Sequence, residues 1–92
     1  MLTSKQRAYL RSMANGLETI FHIGKSGVTP ELTDAVDNAL EARELVKLNI
    51  LDNCLMGTRE AAQIIAERTH ADVVQVIGNK FVLYRQAKKP SI

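Results

Sequence analysis

The chain is poor in cysteine and aromatic residues, and it has no long hydrophobic run. Cys54 is the only cysteine, tryptophan is absent, and the aromatic residues are two tyrosines and two phenylalanines. A single cysteine excludes an internal disulfide framework, and no apolar stretch approaches the roughly 20 residues of a membrane-spanning helix. The first residues, Met1 to Lys5, lack the apolar core of a signal peptide. We therefore expect a cytoplasmic protein without membrane contact.

The length of 92 residues, of which 46% are hydrophobic, fits one small domain. We expect that domain at residues 1–86, followed by a basic, flexible tail at 87–92. A domain of this size has little room for a deep catalytic cleft, and it more often presents a surface than encloses a pocket. We therefore expect no enzyme activity, no cofactor and no small-molecule substrate, and we expect a monomer.

The net charge is only +2, but the charges are unevenly distributed along the chain. Residues 1–28 carry four basic side chains against one acidic, and residues 78–92 carry four against none. Between them, residues 29–44 carry five acidic side chains and one basic side chain, and residues 45–77 carry four acidic and three basic side chains. If folding brings the two ends together on one side, they form a local basic face of the kind that binds nucleic acid.

Apolar periodicity and end signals predict three helices and four strands in the order α-β-α-β-α-β-β. Helix one is capped by Thr3, with Gln6 completing a capping box, and ends at Asn15-Gly16. Thr58 is predicted to cap helix three. The remaining expected elements are helix two at about 30–43, helix three ending near 69, and strands at 18–23, 45–51, 72–77 and 81–85.

The alternation of helices and strands predicts an α/β fold in a single compact domain, with three helices packed on a four-stranded mixed sheet. Right-handed crossovers would make most of that sheet parallel. The last two strands, joined by Gly78-Asn79-Lys80, read as a terminal antiparallel hairpin.

The segment Gly24-Lys25-Ser26-Gly27 lies between strand one and helix two. Glycines let a backbone approach a ligand closely, the amides at a helix start attract anions, and Lys25 adds a full charge. These features predict a phosphate cradle. The alternative is a tight turn in which both glycines serve only the geometry, since a G-x-x-G spacing also occurs by chance.

Several kinds of chemistry are disfavoured. A Walker A loop needs a further glycine where this chain has Thr19, so an ATPase or GTPase is rejected. Cys54, His22 and His70 lie in separate predicted elements and form no metal-ligand motif. A Cys–His hydrolase would need an orienting partner that the sequence does not suggest. The carboxylates of helix two are expected to form a solvated face.

The aromatic residues do not suggest a base-stacking sheet. Phe21 and Phe81 are expected in the core, and Tyr9 and Tyr84 are either exposed or packed with only the hydroxyl in solvent. His22 is expected on a strand face and not in a metal site. It could also lie on the RNA side, where it would hydrogen-bond to or stack on RNA. Contact through glycine amides and basic side chains fits this composition better than stacking.

Four segments in register resemble the CRM domain (chloroplast RNA splicing and ribosome maturation), specifically its stand-alone bacterial YhbY form. The resemblance covers nearly the whole chain, and its segments are Leu2-Thr3-Ser4-Lys5-Gln6-Arg7, Ile23-Gly24-Lys25-Ser26-Gly27-Val28-Thr29, Glu44-Leu45-Val46-Lys47-Leu48 and the hairpin from Val74 to Arg85. It implies a fold similar to the C-terminal domain of bacterial translation initiation factor three. It also implies a G-x-x-G loop that works like that of a KH domain.

The resemblance further implies binding to ribosomal RNA of large-subunit precursors and a role in ribosome assembly. The expected RNA-binding residues are the loop and a set of basic side chains: Gly24, Lys25, Ser26, Gly27, Lys5, Arg7, Arg11, Lys47, Lys80, Arg85, Lys88 and Lys89. The rival interpretation is a protein-interaction module in which the acidic face of helix two docks a ribosomal protein. Salt-dependent binding to naked RNA would favour the first interpretation.

Overall fold

A computed structural model describes residues 2–86 of the chain. Within them the order of elements is the predicted one, and the helices and strands are α1 (Ser4–Ala14), β1 (Phe21–Ile23), α2 (Pro30–Arg43), β2 (Leu45–Ile50), α3 (Thr58–Thr69), β3 (Asp72–Ile77) and β4 (Lys80–Tyr84). The predicted tail at 87–92 lies outside the described residues. None of the helices in the described part is long and apolar enough to cross a membrane.

The helix ends follow from local side-chain chemistry. The capping box of α1 is confirmed: the Gln6 amide donates to Thr3 Oγ1 at 3.1 Å, and the Thr3 amide donates to Gln6 Oε1 at 2.9 Å. Thr29 caps α2, which begins at Pro30, a residue whose missing N–H costs nothing at that position. The capping role predicted for Thr58 is wrong, because Gly57 is the N-cap and Thr58 is already helical.

The four strands form one mixed sheet in the order β1-β2-β4-β3. β1 and β2 are parallel, whereas β4 is antiparallel to both of its neighbours. The expectation of a mostly parallel sheet is therefore wrong for the strand pairs, although β1, β2 and β3 all run in one direction. The physical reason is the terminal hairpin, which places β4 between β2 and β3 instead of at an edge.

The sheet separates two hydrophobic clusters. On one face, α2 and α3 pack over a large core that includes Leu40, Leu48, Ile65 and Phe81, none of them more than 1% exposed. On the other face, α1 inserts Leu10 and Ala14 against a smaller cluster formed by Leu45, Val74 and Val82. Because α1 is only 11 residues long, or roughly 16 Å, part of this second face has no helix over it.

Candidate functional site

Three chain connections meet at one end of the sheet, which we call the loop end. β1 and β2 are parallel, so the Gly24–Gly27 turn and the loop that follows Ile50 leave the sheet at the same end. The Leu51 amide donates to the Ile23 carbonyl at 2.8 Å, and the Ile50 amide donates to the Asn79 carbonyl at 2.7 Å. These bonds bring the β3–β4 hairpin turn to the same end and fix the three connections relative to one another.

The Gly24–Gly27 segment is a hydrogen-bonded turn in which the Gly27 amide donates to the Gly24 carbonyl at 2.9 Å. Gly27 has φ of +67°, a conformation that side-chain-bearing residues rarely adopt. Lys25 and Ser26 are exposed between the two glycines, and their backbone amides have no hydrogen-bond partner within residues 2–86. The turn thus presents two N–H groups and one ammonium to solvent, which is a suitable surface for an anion.

The two glycines of the turn have different reasons to be glycine. A Cβ at Gly24 would lie 3.4 Å from Asn53 Oδ1 and 3.5 Å from Leu51 Cδ1, so the turn packs closely on the loop after β2. A Cβ at Gly27 would meet nothing within 4 Å. The positive φ at this position therefore explains why the residue is a glycine, and the space beside it is open to a ligand.

The start of α2 offers less to an anion than the sequence suggests. Pro30 has no N–H, and the Leu32 amide already donates to Thr29 Oγ1 at 3.1 Å. The remaining amide of this turn belongs to Glu31, which carries a negative charge of its own. The positive potential next to the turn therefore comes chiefly from Lys25 and the turn amides.

The start of α3 is different, and the sequence reasoning overlooked it. Its N-cap residue, Gly57, has no side chain with which to cap the helix, so the first amides of α3 make no such bond. Arg59 lies exposed in the first turn. This cation could have been found from the helix start at Thr58, which places it at the same end of the sheet as Lys25.

A strip of the sheet that α1 covers only in part lies beside the loop end, on the face that carries α1. We call it the open strip. Its first row crosses all four strands, because His22 pairs with Asn49, Asn49 with Lys80, and Lys80 with Ile77. The second row holds Lys47 on β2 and Gln75 on β3, which pair with Val82 from either side. None of the polar residues in these rows is acidic.

The basic residues expected to bind RNA are divided between several places. Lys25 and Lys80 lie at the loop end, whereas Lys47 lies in the middle of β2, in the second row of the open strip. The cations of α1 are on the same face of the sheet as the open strip, with Lys5 and Arg11 exposed and Arg7 half-buried. Arg7 and Arg59 also line a groove of about 670 Å³ along the outer edge of β3. Lys88 and Lys89 lie outside the described residues.

Arg85 is on the other face of the sheet and is held by the protein itself. Its guanidinium contacts the Asp37 carboxylate, donates to the Thr69 carbonyl at 2.8 Å and to the Asp37 carbonyl at 3.0 Å, and lies 3.5 Å from Glu41 Oε1. The expectation of one basic face therefore fits α1 and Lys80 but not Arg85. The same contacts occupy part of the acidic face of α2 that the rival interpretation requires.

The remaining candidates do not form a reactive centre. Cys54 is half-buried and packs against the larger core. No three His, Cys, Asp or Glu side chains within residues 2–86 are grouped so that they could hold a metal ion. Tyr9 is 68% exposed, whereas Tyr84 packs against the smaller cluster. Tyr9 and Tyr84 line a groove of about 530 Å³ by the start of α1, away from the loop end.

Comparison with known proteins gives a consistent family. The model of the CRS1/YhbY (CRM) domain matches residues 2–85. The Bacillus subtilis protein named "Probable RNA-binding protein YqeI" is 42% identical over 89 residues, which span 97% of this chain and 93% of the relative. A Haemophilus influenzae protein named "RNA-binding protein" is 32% identical over 95 residues, or 99% and 92% of the two chains.

The fold also matches a solved structure, that of the Staphylococcus aureus protein SAV1595, determined in solution. The two superpose with a TM-score of 0.81 at 43% sequence identity, and the match covers 97% of this chain and 93% of the other. The three-helix, four-stranded arrangement described above is thus shared with a relative over almost the full length of both chains.

Proposed function

The chain belongs to the CRS1/YhbY (CRM) domain family, and from that premise we propose that it is an RNA-binding protein that holds an RNA backbone at the loop end. The observation on which the proposal rests is the Gly24–Gly27 turn, whose Lys25 and Ser26 amides have no partner in the described part of the chain. A phosphate oxygen placed there would accept from these amides, and the Lys25 ammonium would lie nearby.

The basic residues on the α1 side of the sheet would extend the contact along the RNA. Lys80 and Lys47 adjoin the turn through the open strip, and α1 continues the positive surface away from it. Arg59 joins this set because it lies at the loop end. Arg85 is left out, since its guanidinium already has four partners within the protein.

The proposed RNA is ribosomal RNA in precursors of the large subunit, bound in the cytoplasm during assembly. Two relatives that match nearly the whole chain have RNA-binding in their names, and this supports an RNA partner. The ribosomal part of the proposal rests on the resemblance to the YhbY form. Crosslinking in cells, followed by sequencing of the attached RNA, tests it: enrichment of large-subunit precursor RNA is expected, and enrichment of messenger or transfer RNA alone contradicts it.

The binding site is tested with Lys25→Ala, measured by fluorescence anisotropy against precursor ribosomal RNA over a range of salt. If about 3 to 5 phosphates are contacted, the log–log slope of affinity against salt is roughly −2 to −4. Removing Lys25 should weaken binding and flatten that slope by about 0.7–0.9. The stability should change by less than about 0.5 kcal/mol, because Lys25 is exposed.

The matched control is Arg68→Ala. Arg68 is an exposed cation in the last turn of α3, at the opposite end of that helix from the loop end. Its removal changes the net charge by the same amount, but it should leave the salt slope unchanged. Equal effects of the two substitutions would mean that only the overall charge matters. If Lys25→Ala leaves the salt slope unchanged, the turn does not bind phosphate and has only a geometric role.

A further inference from the structure

We infer that the open strip reads an unpaired base of the bound RNA, with His22 and Asn49 forming hydrogen bonds to the edge of that base. The inference rests on the proposed function, because it concerns the RNA that the adjacent turn would hold. It adds a second kind of contact, since the turn would recognise phosphate whereas the strip would recognise the base. It is supported by the register of the sheet, by the His22–Asn49 pair and by one carbonyl oxygen that has no partner within the described residues.

The first row of the strip is continuous across the sheet. His22, Asn49, Lys80 and Ile77 are successive partners on β1, β2, β4 and β3. Neighbouring strands lie about 4.8 Å apart, so the row is roughly 14 Å long. It contains one cation and no acid, and its far member, Ile77, is 62% exposed. A nucleotide can therefore lie across it with a polar group at one side and apolar surface at the other.

The His22–Asn49 pair sets the hydrogen-bonding character of the strip. Asn49 Nδ2 lies 3.3 Å from His22 Nδ1. We assign the donor role to the amide nitrogen that faces the ring, which makes Nδ1 the acceptor and places the ring proton on Nε2. Since His22 is exposed, this arrangement leaves the Nε2–H available to a ligand.

The carbonyl oxygen of the Asn49 amide has no partner among residues 2–86. Asn49 Oδ1 is buried, and no donor reaches it within the part of the chain that the structure describes. A buried carbonyl oxygen without a donor is disfavoured. A base would reach this atom only if the side chains covering it moved, and Lys80, which pairs with Asn49 across β2 and β4, is exposed. The unsatisfied oxygen is thus an acceptor in the middle of the row.

A donor on His22 beside an acceptor on Asn49 matches the edge of a nucleobase, where an acceptor and a donor also lie side by side. On the Watson–Crick edge those groups are already used when the base is paired. The complementarity therefore selects an unpaired base, as found in loops, bulges and single strands of RNA. Ile77 would contact the face of a base, and Lys80 a phosphate beside it.

The strip is coupled to the turn by the chain itself. His22 comes two residues before Gly24, a distance of roughly 7 Å along an extended strand. Ile23 between them is 1% exposed and anchored in the larger core. The base contact and the phosphate contact are therefore held in a fixed relation, and neighbouring nucleotides of one RNA strand can occupy both.

The test compares a single-stranded RNA of ten nucleotides with a blunt RNA duplex of the same sequence. The full chain and the variants Asn49→Ala, His22→Ala and His22→Phe are measured by fluorescence anisotropy at several salt concentrations. Loss of one hydrogen bond should weaken single-strand binding about 3- to 10-fold. Duplex binding should change less than about twofold, and the salt slope should remain that of the parent.

Two further variants separate this inference from the proposed function. Lys25→Ala should weaken binding to both RNAs and flatten the salt slope, and Asn38→Ala, which removes an exposed amide on α2, should change neither. A parent chain that binds neither RNA overturns the proposed function and the inference together. A different result overturns the inference alone. In it, Lys25→Ala weakens RNA binding, but the Asn49 and His22 variants keep the parent's preference for single-stranded RNA.

The experiment remains decisive if one of the variants fails to fold. Asn49 is half-buried, so thermal melts accompany each binding curve. Should Asn49→Ala unfold, the two His22 variants decide, because His22 is exposed on an edge strand and either residue is tolerated there. Equal loss in His22→Ala and His22→Phe indicates edge recognition. Parent-like binding by His22→Phe indicates that only the ring matters, and it overturns the proposed hydrogen bonds.

Discussion

The two ends of the sheet use their positive charges in opposite ways. At the loop end, Lys25 and Lys80 are exposed, and neither has an ion-pair partner within the described residues. At the other end, Arg85 is 18% exposed in its side chain and is bound to α2 and to the end of α3. The comparison shows that the number of cations does not locate a binding surface. What matters is which cations the protein has left without partners.

The largest effect is expected from Arg85→Met, which removes the contacts at the closed end. The Thr69 carbonyl loses its guanidinium donor, and Thr69 is 1% exposed. The ion pairs themselves add little, because the Asp37 and Glu41 side chains are 51% and 39% exposed. We expect the free energy of unfolding to fall by about 1–3 kcal/mol, as measured by urea denaturation.

The same variant should bind RNA with the affinity of the parent at temperatures where it is folded. Lys80→Met is its matched control for stability, since Lys80 is an exposed cation at the start of β4, the strand that Arg85 directly follows, and its replacement should leave stability within about 0.5 kcal/mol of the parent. If Arg85→Met loses RNA binding while fully folded, the contrast between the two ends is wrong, and Arg85 belongs to the binding surface.

The next effect concerns Gly27, replaced by Asp and, separately, by Asn. Both side chains tolerate positive φ better than other residues do, and both enter open space. Each should therefore cost a similar amount of stability, about 1 kcal/mol. Gly27→Asp should bind RNA more weakly than Gly27→Asn, because a carboxylate faces the phosphate. Melting curves and anisotropy on the pair separate strain from charge, and equal affinities would argue against a phosphate at the turn.

A smaller loss of RNA affinity, about 0.5–1 kcal/mol, is expected from Lys80→Ala. The lysine lies in the first row of the open strip and makes no ion pair within the described chain. Its loss should flatten the salt slope without changing the melting temperature by more than a few degrees. If the salt slope becomes steeper, or if affinity and slope both stay those of the parent, the RNA does not contact the strip at Lys80.

The smallest effect is expected from Gly24→Ala. Its φ does not lie in the left-handed range, and the new methyl would meet Asn53 and Leu51 at ordinary or slightly tight distances. Stability should change by less than about 0.5 kcal/mol, and RNA affinity by less than about twofold. A large loss of affinity with an intact fold would show that RNA approaches the backbone at Gly24 as closely as at Gly27.

The elements were predictable because their signals are local. The apolar period, the Thr3–Gln6 capping box and Thr29-Pro30 each lie within a few residues of the feature that they determine. The errors arise where the outcome depends on distant partners. The position of β4 between β2 and β3 depends on its pairing with β2, a strand that is distant in the sequence. Thr58, which looks like a helix cap, became the first helical residue because Gly57 takes the extended cap conformation.

The candidate site was predictable to the same extent. The Gly24–Gly27 turn is a local motif, so its position, its exposed lysine and its positive φ follow from the sequence. The partners of Arg85 could not be predicted, because Asp37 is 48 residues away along the chain. The His22–Asn49 pair joins residues 27 positions apart. Both depend on strand register, which hydrophobic alternation alone does not assign between strands.

The position of β4 also has a consequence for the order in which the chain can fold during synthesis. This strand leaves the ribosome after the other six elements, yet it supplies the hydrogen-bonding partner of both β2 and β3. A nascent chain that ends before Lys80 has two separate edges where the finished sheet has its centre. We therefore expect the domain to remain unassembled until β4 has left the ribosome, and then to complete its sheet and gain Lys80 of its open strip in one step.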